Sequence, residues 1–138
     1  MRRTLEELLR EARARIERLE PAEALAAAEE GALIVDTRAD RSRGAVPGSL
    51  HVPLSVLQWR VDPTSRWRNP HVGGLDLHLI LICEQGESSS LAAASLLDLG
   101  FTHVGDVVGG FEAWEAAGLP IADAPAPGPG LPGTDGPT

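Results

Sequence analysis

The sequence predicts an α/β fold, a parallel five-stranded sheet covered by helices on both faces. Three observations predict it. Short, continuously apolar runs such as "ALIVDT" (32–37) and "LDLHLILIC" (75–83) read as strands buried on both sides. Segments with helical spacing or helix-forming composition separate these runs, which is the alternation of a parallel sheet with crossover helices. Gly and Pro mark the junctions, and no internal repeat is present.

The elements follow in order. Residues 4–15 form a helix, because Leu5, Leu8, Leu9, Ala12 and Ile16 recur at three- and four-residue spacing. Arg2 and Arg3 sit at its unfavourable dipole end, so it needs tertiary contact to resist fraying. "IERL" (16–19) alternates and suits a short edge strand. Pro21 fits the first turn of a second helix with Glu20 at its cap, and Gly31 stops that helix. "ALIVDT" is a strand, "RADRSRGAVPGS" a loop and "LHV" (50–52) a short strand. "LSVLQWRV" (54–61) makes a helical turn or two, and residues 62–74 are irregular. "LDLHLILIC" is the most strand-like run. "SSSLAAASLLDLG" is a helix with a serine cap and a stop at Gly100. "THVGDVV" (102–108) is the last strand, and "GGFEAWEAAG" is a turn and a final helix. Gly109 and Gly110 serve the turn, while Phe111 and Trp114 pack in the core at three-residue spacing. Three segments result: a helical extension (1–15), a domain (16–121) and a disordered Pro/Gly-rich tail (122–138).

Composition excludes several classes of function. The chain has 138 residues, 43% of them apolar, enough for one domain. The net charge of −8 gives no basis for binding nucleic acid or an anionic membrane. No apolar run approaches the roughly 20 residues of a spanning helix. The charged start "MRRTLEELLREARAR" lacks the apolar stretch of a signal peptide. One cysteine forms no internal disulfide, and no Cys/His spacing indicates zinc, so no metal and no cofactor is expected. A cytoplasmic location fits these features.

That cysteine, Cys83, closes an apolar strand and precedes a loop and a helix, "CEQGESSSLAAASLL". Ligands of open α/β sheets bind at the carboxyl ends of strands. Backbone N–H groups at such a junction can cradle an anion, and a helix N-terminus favours a thiolate. Gly86 allows the loop to curl, and the serines can cap the helix or donate to sulfur or an oxyanion. Position alone equally suits a small buried hydrophobe. Glu84 and Glu87 oppose ionisation. A carboxylate about 6 Å away disfavours a thiolate by roughly 0.7–3 kcal/mol, while a helix terminus contributes about 0.3–1 and up to ~2 kcal/mol.

Four segments resemble the motifs of single-domain rhodaneses, in the order of that family. They are "LIVDTR", "GAVPGSLHVPL", "CEQGESS" and "LLDLGFTHVGDVVGGFEAWEAAGLPI", and the resemblance covers roughly residues 16–121. The resemblance implies a sulfurtransferase. Cys83 would attack the outer sulfur of a donor such as thiosulfate or another persulfide and become a persulfide. It would then pass that sulfur to cyanide or a thiol, with a small sulfur donor or a protein persulfide as partner. By the same resemblance, the backbone N–H groups of Glu84, Gln85, Gly86, Glu87, Ser88 and Ser89 bind the anion, with the Ser88 and Ser89 hydroxyls as further donors. Ser88 stands where the family often has Arg, and the loop carries no Lys or Arg, which points away from thiosulfate. Ala45 replaces a frequent His.

Outside the loop, Asp36 and Arg38 read as an ion pair ordering the loop after their strand. Arg41 and Arg43 are candidates for positive potential near Cys83. Asp36, Arg38, Arg43, Trp59 and Arg60 are candidate pocket residues, with Trp67 and Arg68 in the same segment. Ordinary packing with Arg stacked on Trp accounts equally well for the last group. His51, His78 and His103 read as structural or surface residues. Two other functions compete: a weakly catalytic module for partner binding or redox sensing, and a cysteine phosphatase or arsenate reductase. The last would need an arginine in the loop.

Overall fold

The computed structural model describes residues 2–124. Five strands, β1 (Glu17–Leu19), β2 (Leu33–Asp36), β3 (Leu50–His51), β4 (Leu79–Ile82) and β5 (Val104–Val107), pair entirely in parallel in the order β1-β5-β4-β2-β3. The helices are α1 (Leu5–Arg15), α2 (Pro21–Glu29), α3 (Leu57–Val61), α4 (Ser88–Asp98) and α5 (Gly110–Ala116), with a 3-10 turn at Leu54–Val56.

The apolar strands are continuous because both faces are covered. Successive side chains of a strand point to opposite faces. Leu79 and Leu81 accordingly join one core with Val35, Leu57, Ala93 and Leu96, on the α3 and α4 side. Ile80 and Ile82 join the other with Ile34, Ala24, Phe111 and Trp114, beneath α2 and α5. The Trp114 indole N–H is satisfied by the Pro120 carbonyl at 2.9 Å.

The N-terminal helix is anchored at several points. The Glu7 N–H donates to the Thr4 hydroxyl at 3.1 Å in a capping box, Arg15 pairs with Asp98 at 2.7 Å, and α1 packs along α4. The unfavourable Arg2 and Arg3 charges are thereby offset. Arg3 itself reaches Glu11 at 2.6 Å.

Two elements differ from the sequence expectation. The strand read at 75–83 starts only at Leu79. Residues 75 and 76 form a turn instead, in which the Leu75 carbonyl accepts the Thr102 N–H at 3.0 Å. The serines do not cap α4. Glu87 occupies the cap without a side-chain bond, and Ser88, Ser89 and Ser90 form the first helical turn. Their hydroxyls are engaged elsewhere. At the C-terminal side, Ala122 bridges Ala45 by two backbone bonds of 2.8 and 2.9 Å. The remainder of the expected tail, residues 125–138, lies outside the described residues.

Adjacent strands β2 and β4 leave the sheet in opposite directions, β2 toward β3 and β4 toward β5. Their carboxyl ends therefore flank a topological switch point, where α/β sheets open a crevice.

Candidate active site

Cys83 lies in that crevice, one residue beyond β4 and only 5% exposed. A cavity of about 480 Å³ opens over it. Its floor is Cys83, Glu84 and Ser88. Its walls are the segment after β2 (residues 37–40), Arg43 and Leu54.

The loop is held by three of its carbonyl groups, those of Cys83, Glu84 and Gly86. The Cys83 carbonyl accepts the Phe111 N–H at 2.8 Å, and the Glu84 carbonyl accepts the Glu112 N–H at 3.1 Å. The Gly86 carbonyl receives Arg13 at 2.9 Å and Arg18 at 3.2 Å. With the carbonyls committed, the loop can turn an N–H toward sulfur, and the Gly86 N–H donates to Cys83 Sγ at 3.2 Å. Glycine is required at two of these points. Gly86 has φ of 80°, and a Cβ there would stand 2.6 Å from the Gly109 nitrogen. A Cβ on Gly110, at φ of 62°, would stand 2.5 Å from the Cys83 carbonyl oxygen.

Behind the thiol lies a buried carboxylate, Asp106 of β5, with no exposed surface. The Ser89 and Ser90 hydroxyls donate to it at 2.8 and 2.7 Å, and Arg18 Nε pairs with it at 3.0 Å. Arg13 Nε in turn donates to the Ser90 oxygen at 3.0 Å. Cys83 Sγ and Ser89 Oγ are 3.2 Å apart, so thiol, Ser89 and Asp106 form one chain. Ser89 has a single hydroxyl hydrogen. It can donate to Asp106 while the thiol is protonated and to sulfur once the thiol ionises, with Ser90 and Arg18 retaining Asp106.

Burial pushes the Cys83 thiol up, but four hydrogen bonds outweigh it. In order they come from the Ser89 hydroxyl, the Ser89 N–H, the Ser88 hydroxyl and the Gly86 N–H, and the thiol lies below its ordinary value. The two glutamates are each met by arginine. Glu87 pairs with Arg13 at 3.0 Å. Glu84 pairs with Arg43 and lies 3.7 Å from Arg38 Nη1. Asp40 at the cavity wall is held below the usual carboxylate range, first by the Ser42 N–H and then by its hydroxyl.

The structure brings Arg38 and Arg43 to the cavity with Cys83, Glu84 and Ser88. Asp36 sits behind them, binding Arg38 through Nε at 3.1 Å and Nη2 at 2.8 Å, and taking Arg41 at 3.2 Å. Arg38 is buried with its guanidinium 3.7 Å over the Phe111 ring, and its Nη1 has no hydrogen-bond partner among the described residues. Trp59 and Arg60 do not line the cavity. Trp59 is 47% exposed, and Arg60 turns to the Trp67 carbonyl at 3.3 Å. The arginine that stacks on tryptophan is Arg66, 4.5 Å over the Trp67 ring.

Sequence reasoning missed Arg13, Arg18, Ser90 and Asp106. Asp106 had a readable signal, a charge inside the apolar run "VGDVV". Arg13 and Arg18 had none, because they reach the loop from the far end of the chain. Among the described residues, Glu17, His78 and His103 bring three potential ligand atoms within 4.8 Å of one another, at the other end of the sheet.

Residues 20–117 match the family model described as Rhodanese-like domain. The chain is 38% identical over 99 residues to the thiosulfate sulfurtransferase GlpE of Pseudomonas savastanoi pv. phaseolicola, covering 72% of this chain and 87% of that one. A sulfurtransferase of Allochromatium vinosum is 30% identical over 94 residues, covering 67% and 79%. Among solved structures, a Rhodopseudomonas palustris protein of unknown function, described as a possible tyrosine phosphatase, is 34% identical with a TM-score of 0.78, covering 88% and 96%.

The Ser89 contact generates a prediction about ionisation. Ser89→Ala removes a donor that favours the thiolate, so the pH midpoint for alkylation of Cys83 should rise. A midpoint equal to that of the unaltered protein would mean that Ser89 serves Asp106 alone.

Proposed function

Since the chain belongs to the rhodanese-like domain family and is a sulfurtransferase, we propose that Cys83 carries the sulfur as a persulfide. The observation that supports this most is the placement of the only thiol, at the floor of a cavity with the Gly86 N–H 3.2 Å from its sulfur. The Cys83 thiolate attacks the outer sulfur of the donor. A new S–S bond forms, the donor's own bond to that sulfur breaks, and its electron pair leaves with sulfite when thiosulfate is the donor. The terminal sulfur is then attacked by a thiol or cyanide, and Cys83 departs as the thiolate. Loop N–H groups and the Ser88 hydroxyl stabilise the anion at each stage. No resolving cysteine is needed, because the acceptor comes from outside. A reducing compartment such as the cytoplasm suits a lone reactive thiol.

Thiosulfate is a dianion, and the cavity's positive charge comes from Arg38 and Arg43 and not from the loop. Glu84 engages both, and Asp40 adds a second negative charge at the wall. A neutral or protein-bound persulfide therefore fits the cavity better than thiosulfate does. Phosphoryl chemistry is disfavoured, because residues 84–89 hold no arginine to clamp an oxyanion.

Intact mass after incubation with thiosulfate, or with a low-molecular-weight persulfide, should show a gain of ~32 Da that thiols remove and Cys83→Ser abolishes. No adduct from either donor would favour a binding or redox-sensing module instead. Glu84→Gln should free Arg43, remove the negative charge facing Arg38, and lower the KM for thiosulfate roughly three- to tenfold, equivalent to about 0.7–1.4 kcal/mol of charge interaction. The KM for a neutral donor should stay unchanged. Equal thiosulfate KM values would mean that the unmasked guanidinium charge does not reach the donor.

A further inference from the structure

The opposite end of the sheet holds a second cluster that sulfur transfer does not use. Leu79 of β4 and Val104 of β5 are register partners, so the residues before them, His78 and His103, emerge side by side. Their rings stack at 3.4 Å between centroids and 6° between planes. Glu17 opens the edge strand β1, in register with Gly105. Alternation places Glu17, His78 and His103 on the same face. Gly105, in register with Glu17 on one side and Ile80 on the other, has no side chain to stand in the way. A Cβ on Gly105 would come within 2.5 Å of the Glu17 carbonyl oxygen and 3.1 Å of its Cβ. The Glu17 carboxylate leans across β5 to both imidazoles. One oxygen, Oε1, lies 3.0 Å from His78 Nε2 and 3.4 Å from His103 Nε2.

These spacings are those of metal ligands. Bonds of about 2.0–2.1 Å in a tetrahedral shell set neighbouring ligand atoms about 3.3 Å apart. The three donor atoms all lie within 4.8 Å of one another. Two imidazoles and a carboxylate suit Zn²⁺ and its late first-row neighbours better than Mg²⁺ or Ca²⁺. A cavity of about 590 Å³ adjoins both imidazoles, and its lining includes Glu30 and Asp76, whose negative charge attracts cations. We propose that Glu17, His78 and His103 form a binding site for a divalent transition-metal ion, with a fourth position open to solvent. Parallel rings direct their lone pairs side by side, so binding makes the two rings fan apart. Their side chains are free enough to do so, at 20% exposed for His78 and 52% for His103. The bound ion ties edge strand β1 to β4 and β5. It lies away from the sulfur site, since His78 and Cys83 are five residues apart on an extended strand, about 16 Å.

The test uses the full chain without an affinity tag, in a Cys83→Ser background that removes the thiol as a competing zinc ligand. Calorimetric titration with Zn²⁺ should give one equivalent. His103→Ala and Glu17→Gln should each weaken binding at least tenfold, and the exposed His71→Ala should leave it unchanged. Zn²⁺ should raise the melting temperature of the background protein, and His103→Ala should abolish that rise. Absence of saturable binding, or an affinity in His103→Ala and Glu17→Gln unchanged from the background protein, would overturn the proposal.

Discussion

The site is organised around one buried charge. Asp106 has no exposed surface, and a carboxylate removed from water costs several kcal/mol unless donors surround it. Its donors are Ser89 and Ser90 of α4 and Arg18 of β1. Each has a second task at the sulfur loop. Ser89 stands 3.2 Å from the thiol, while Arg18 holds the Gly86 carbonyl and Ser90 takes the hydrogen bond of Arg13, which also holds it. Satisfying Asp106 therefore positions the loop, and the loop's N–H groups follow from where its carbonyls are bound.

The same arrangement explains how an acidic loop coexists with an ionisable thiol. Glu84 and Glu87 stand beside Cys83 in sequence, but each carboxylate is met by arginine from another element. The forces that lower the thiol are short hydrogen bonds from Ser89, Ser88 and Gly86, acting against burial. Burial and local donors set the direction of the thiol's shift, and the glutamate charges are met by Arg13, Arg38 and Arg43.

Much of this was legible in the sequence, for a physical reason. The strands are buried on both faces, so they appear as unbroken apolar runs, and the loop from Cys83 to Ser89 is contiguous. What was not legible joins distant segments. Arg13 and Arg18 contact the loop only after α1 has packed on α4 and β1 on β5. The start of β4 was misjudged because Leu75 and Leu77 continue the apolar alternation into a turn. The serines looked like a cap because their type favours caps, and they serve Asp106 instead. Trp59 drew notice as an aromatic in a polar segment, yet α3 sends it to solvent. Glu17, His78 and His103 lie at the starts of three different strands, and no local spacing could have linked them.

The dependence of the loop on Asp106 is open to direct measurement by amide hydrogen exchange on Asp106→Asn. The substitution keeps the shape and removes the charge that holds Arg18. The loop at residues 84–89 should exchange at least tenfold faster than in the unaltered protein, while β4 keeps its protection. Loop protection that is unchanged, or that falls only in step with β4, would contradict the account.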